Sequence, residues 1–188
     1  ASGGTDAEGR ICKPGERDPV EDVRFLEEEL TMWLASILKR DWQKIMRSVE
    51  SEKKDFLQLL EERLSGLAIR RAQVLEAIHT TALNAEKPHT WSDSDFLKFV
   101  DKLRSISKPM LIAANKIDLP CAEGNLERLK MPDYTIVPCC AEAELALRRS
   151  AEMKLTDYRP GDCNFKVLNS QGMTQSQLKA LDTIKERV

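Results

Sequence analysis

The sequence predicts an α/β fold in which a charged helical stretch precedes a small, mostly parallel sheet packed with helices. Three observations carry this. Pro109-Met110-Leu111-Ile112-Ala113-Ala114 and Tyr134-Thr135-Ile136-Val137-Pro138 are short apolar runs bounded by proline or polar turn residues, the pattern of buried strands. The segment between them has room for a short crossover helix, which parallel strands require. Upstream, apolar residues recur at three- and four-residue steps, the period of amphipathic helices.

Each element follows in order. Residues 1–18 are rich in glycine and polar side chains and read as a connecting loop. Asp18 suits an N-cap, Pro19 the first helical position, and Glu21 completes a capping-box pattern. Val23, Leu26, Leu30, Trp33 and Ile37 then mark one apolar helix face. Asp41 is expected to cap a second long helix carrying Trp42, Ile45, Phe56, Leu60 and Leu64, stopped by Ser65-Gly66. A third helix over residues 70–83 would turn Val74, Leu75 and Ile78 inward. Residues 19–90 thus form a helical, coiled-coil-like segment.

Residues 91–188 form the sheet-bearing part. Ser92 with Asp95 opens a fourth helix bearing Phe96, Phe99, Val100, Leu103 and Ile106, expected to pack on the sheet. After the first strand come a short helix near 125–130, the second strand and a helix from 141 to about 153. A Pro-Gly turn with a short strand follows over 158–168. Residues 174–188 close the chain as a helix opened by Thr174 and Gln177.

Composition excludes several classes. At 188 residues the chain can bury a real core. A net charge of −2 gives no bulk attraction to nucleic acid or membrane, and no apolar run approaches a membrane span. Five cysteines, odd in number and without paired ligand spacing, argue against zinc and fit a reducing cytoplasm. No signal-peptide pattern opens the chain, although an excised fragment could not show one. His79 and His89 lie far apart in sequence without a ligand cluster, so no metal site is expected.

The chemistry concentrates after the first strand, in Asn115-Lys116-Ile117-Asp118. In open α/β sheets, ligands bind at the carboxyl ends of the strands. Guanine offers two adjacent donors, its ring N1–H and its exocyclic amine, and one carboxylate can accept both. Asp118 is therefore the candidate specificity residue. Adenine presents an acceptor there and would leave the acid unpaired, a mismatch that discriminates by roughly 10⁴-fold or more. Asn115 would bridge the base N7 to neighbouring backbone, and Lys116 would lay its aliphatic stem over the base face. Asn-Lys-x-Asp in this place is the guanine-reading signature of P-loop GTPases. Cys140-Ala141-Glu142 follows the second strand, where such proteins carry a Ser-Ala-(Lys or Glu)-like loop whose backbone N–H meets the guanine oxygen.

The chain contains no Gly-x-x-x-x-Gly-Lys-(Ser/Thr) phosphate loop. Asp6-Ala7-Glu8-Gly9 matches the Asp-x-x-Gly switch pattern, but no apolar run precedes it, and an exposed turn is the simpler reading. Asp18-Pro19-Val20-Glu21-Asp22, Leu64-Ser65-Gly66-Leu67, Ser107-Lys108-Pro109, the run from Ala141 to Arg149 and Asp157-Tyr158-Arg159-Pro160-Gly161-Asp162 point further. With Ala1–Gly9 they resemble the YchF family of Obg-like translation-factor-class GTPases and ATPases, above all its archaeal branch.

That resemblance implies a partial P-loop GTPase domain. The phosphate loop and switches would precede Ala1, residues 19–90 would be a helical insertion, and 91–188 the C-terminal half of the nucleotide domain. It also implies GTP as ligand, Mg²⁺ in the intact protein with no ligands in this chain, hydrolysis by the intact protein alone, and a ribosome or RNA contact through the insertion. No catalytic residue is expected in the chain. Relatives that depart from Asn-Lys-x-Asp prefer ATP, so Asn115, Lys116 and Asp118 argue for GTP. Cys140 replaces the family's serine and removes a loop hydroxyl.

Simpler readings stand beside these. Lys39-Arg40, Lys53-Lys54 and Arg70-Arg71 read more readily as solvated helix faces than as an RNA patch, because Glu27 to Glu29 and Glu61-Glu62 interrupt the field. Trp33 and Trp42 lie in apolar repeats and read as core anchors. The rival for the whole chain is a non-enzymatic helical interaction module for protein or RNA, with an incidental turn motif.

Overall fold

The computed structural model describes residues 4, 10, 13, 15–131 and 133–187. The Asp6–Gly9 pattern and Cys12 lie outside the described residues. The chain divides into two compact units, Val23–Met110 and a second made of Ala1–Asp22 with Leu111–Val188.

The first unit is helical. α1 spans Pro19–Glu52 without interruption, 34 residues in all. The break expected at Asp41 does not occur. No glycine or proline interrupts this stretch, and the Asp41 carboxylate pairs with Arg63 at 2.7 Å instead of capping a helix. The second helix, α2, covers Phe56–Leu64, and its N-cap is Asp55, which accepts from Leu57 N at 2.9 Å. A 3₁₀ turn over Ser65–Leu67 and left-handed Ala68 (φ 56°) end it, as Ser65-Gly66 foretold. α3 (Arg71–Thr80) and α4 (Asp93–Ser107) complete the unit. Ser92 and Asp95 form the expected capping box on α4.

The core joins all four helices through Leu34, Leu38, Leu60, Leu64, Val74 and Phe99. Several expectations for the helices change here. α4, expected to pack on the sheet, buries Phe96, Phe99, Val100 and Leu103 in this helical core, and the compact unit extends to Met110. On α1 the buried stripe is Leu34, Leu38 and Ile45, one step round the helix from the expected one, leaving Leu26 and Trp33 exposed. Leu75 likewise points outward, and Ala77 takes its place beside Val74 and Ile78. Trp42 does anchor the core: its ring meets Phe96 edge-on at 4.7 Å and Phe56 at 5.9 Å. Arg104, almost wholly buried, pairs with Glu27 at 3.0 Å, while Thr31 donates to Asp101 at 3.0 Å, so polar bonds also tie α1 to α4.

The second unit is the α/β part. β1 (Leu111–Ala114) is followed by α5 (Ala122–Arg128), β2 (Thr135–Pro138) and α6 (Ala141–Glu152). β1 and β2 pair in parallel with Leu111 opposite Thr135 and Ala114 opposite Pro138, so both strands end at the same rim. β3 (Thr156–Asp157) and β4 (Lys166–Val167) then make a short antiparallel ladder, and α7 (Gln175–Arg187) closes the unit. Thr174 and Gln177 cap α7 reciprocally, as their spacing predicted. Leu147 of α6, Tyr158 and Leu181 of α7 form its core cluster. Among the described residues no helix is long and apolar enough to cross a membrane.

Candidate functional site

Parallel pairing in register places the loops after β1 and β2 side by side. The ladder runs one step past the strands: Cys139 N donates to Ala114 O at 3.1 Å, and Ile117 N to Cys139 O at 3.4 Å. Asn115-Lys116-Ile117-Asp118 therefore lies directly against Cys140-Ala141-Glu142.

Two side-chain bonds lock the loops together. Asn115 Oδ1 accepts from Lys116 N at 2.8 Å and from Ala141 N at 3.0 Å. Cys140 Sγ donates to Asp118 Oδ1 at 3.1 Å. Cys140 is also the N-cap of α6, its sulfur accepting from Ala143 N at 3.5 Å. Lys116 sits in the left-handed region at φ 64°, with its side chain exposed. Glu142 and Glu144 occupy the first turn of α6, where the positive helix end favours them.

The structure thus brings together Asn115, Lys116, Asp118, Cys140, Ala141 and Glu142. In two respects it differs from the sequence expectation. The Ala141 amide, expected to face a base oxygen, donates to Asn115. Cys140 contributes its side chain as well as its backbone, holding the carboxylate that would read the base. Cysteine is not among the preferred capping residues, so the sequence carried little signal for this. Burial, then the neighbouring Asp118 carboxylate, pushes the Cys140 thiol up, while the Ala143 N–H opposes them; the sulfur therefore stays protonated and able to donate.

A cavity of about 240 Å³ adjoins Asp118, lined by Cys140, Glu142 and Ala143 on one side and by Ala180, Thr183 and Ile184 of α7 on the other. Pockets for drug-sized ligands start at roughly 300 Å³, so this open space is just below that range and is large enough to take a purine base. The α7 wall was not read from the sequence, because α7 is distant along the chain and its facing residues are ordinary. Beyond the site, Glu144 bridges Tyr158 and Arg148; the Tyr158 hydroxyl and then the Arg148 guanidinium hold its carboxyl below the usual range. Among the described residues, no group of three His, Cys, Asp or Glu side chains could hold a metal ion.

Residues 113–188 match the family model described as Obg-like GTPase YGR210-like, G4 motif-containing domain. This segment is similar to the G4-bearing part of Obg-like GTPases. The G4 segment spans both loops of the site and α7. Over 189 residues the chain is 42 % identical to an uncharacterized GTP-binding protein of Methanocaldococcus jannaschii, covering 99 % of this chain and 46 % of that protein. An uncharacterized GTP-binding protein of Schizosaccharomyces pombe is 33 % identical over 193 residues, covering 100 % of this chain and 45 % of its own length. The crystal structure of a GTP binding protein from Pyrococcus horikoshii OT3 superimposes with a TM-score of 0.76 at 31 % identity, over 99 % of this chain and 52 % of that one. The chain spans about half the length of the curated relatives it matches.

Proposed function

We propose that this chain carries the guanine-recognition half of a GTP-binding, GTP-hydrolysing protein of the YchF type. The observation that carries the proposal is the joining of the two rim loops, Asn115 to Ala141 and Asp118 to Cys140, at the carboxyl ends of two parallel strands. Asp118 selects guanine by accepting from its ring N–H and its amine together. Asn115 orders the loops and meets the base N7. Lys116 covers the base face with its stem, and the start of α6 closes the site. A ligand that meets the Ala141 amide shares it with Asn115 or displaces that bond.

Phosphoryl transfer depends on positioning and charge stabilisation around the phosphates. The sequence holds no phosphate loop, so the intact protein must supply those contacts together with the ligands for Mg²⁺. The cytoplasm is the matching compartment, and a ribosomal or RNA contact would fall on the helical unit outside the exposed face of α1.

Nucleotide binding to the intact protein and to its Asp118→Asn variant tests the reading. The variant should lose at least about 100-fold of its preference for guanine over adenine nucleotides and gain relative affinity for xanthine nucleotides, whose exocyclic carbonyl oxygen replaces the amine. An undiminished guanine preference in the variant refutes the role of Asp118.

A further inference from the structure

The solvent face of α1 changes character along its length. Phe25, Leu26, Met32 and Trp33 are 47 to 61 % exposed. At 100° per residue they fall on one stripe, opposite buried Leu34, Leu38 and Ile45. Glu29 sits exposed among them. The same stripe continues through Ser36 into Arg40, Lys44 and Arg47, all exposed. It is apolar and acidic first, basic afterwards. From Phe25 to Arg47 it runs about 33 Å.

Such a face is complementary to itself when reversed. We propose that α1 docks antiparallel against α1 of a second copy of this chain. With the two-fold axis between Leu34 and Ala35, Glu29 lies opposite Arg40 of the other copy. Phe25 is covered by the aliphatic stem of its Lys44. The two Trp33 side chains flank the axis, where small Ser36 allows close approach. The contact is isologous, so every favourable pair occurs twice. A nucleic acid is the poorer occupant: Glu29 lies one turn before the exposed Trp33 on the same face and would repel phosphates where an indole would stack. This inference is independent of the nucleotide reading.

Sedimentation velocity over a concentration series, run on the intact protein at low salt, tests it. The wild type should dimerise reversibly. Glu29→Lys alone and Arg40→Glu alone should each weaken dimerisation by about tenfold or more, since each places two like-charge pairs across the axis. Mixing the two single variants should restore dimers, because every cross-axis pair is then opposite in sign, and the double variant should recover likewise. Both sites are exposed, and circular dichroism should show unchanged helix content. A wild type that stays monomeric up to its solubility limit overturns the proposal. So do charge reversals without effect, or a monomer that binds RNA through Arg40 and Arg47.

Discussion

Truncating Cys140 distinguishes a hydrogen-bonding role for its sulfur from simple packing. Cys140→Ala removes three things. The N-cap acceptor for Ala143 is worth about 1 kcal/mol. The bond to the Asp118 carboxylate would be worth about 1.5–3 kcal/mol for a strong donor, and a thiol delivers nearer 1 kcal/mol. The small void left at a buried site adds up to about 1 kcal/mol. The variant should therefore lose about 2–3 kcal/mol. Cys140→Ser keeps a donor and a preferred capping oxygen, and should stay within about 1 kcal/mol of the wild type. Urea denaturation midpoints supply the energies, and amide exchange at Ala143 reports the cap directly. Equal losses in both variants would refute the hydrogen-bond account and leave only sulfur packing.

Three further outcomes follow from other contacts. Because burial raises the folded thiol's pKa, the unfolded thiol ionises first as pH climbs past about 8.5, and stability falls above that pH; Cys140→Ser should lack this alkaline loss in urea titrations at pH 8 to 10. The Glu144 carboxyl is held low by Tyr158 and then Arg148, so its stabilisation is present above about pH 4.3 and lost as pH falls; Glu144→Gln should show a flatter acid limb in pH-dependent denaturation. Leu60→Ala, at a site with 0 % exposure, should cost about 2–5 kcal/mol, whereas Leu75→Ala, at 44 % exposure, should cost less than about 1 kcal/mol in the same assay.

The site loops were legible because each follows a short apolar strand, and parallel pairing brings successive strand ends to one rim. Local chemistry likewise announced the caps at Ser92 and Thr174. The helical unit was read less well. A three-and-four repeat over 34 residues admits more than one apolar stripe, and Leu26 with Trp33 competes with Leu34 and Leu38. Only packing against α2–α4 decides between them. Asp41 misled for a related reason: an acidic residue inside a helix looks like a cap until its distant partner, Arg63, is known. The Cys140–Asp118 bond joins residues 22 apart through strand register, which no local pattern encodes.

Lys116 carries a backbone cost. A non-glycine residue in the left-handed region gives up about 1–2 kcal/mol, and this one does so while exposing its side chain. Lys116→Gly should accordingly melt at a higher temperature and, on the role proposed for the stem, hold a purine less well. The loop would then be a point where selection for thermal endurance and selection for ligand retention pull in opposite directions, visible as a rise in Tm beside a faster nucleotide off-rate.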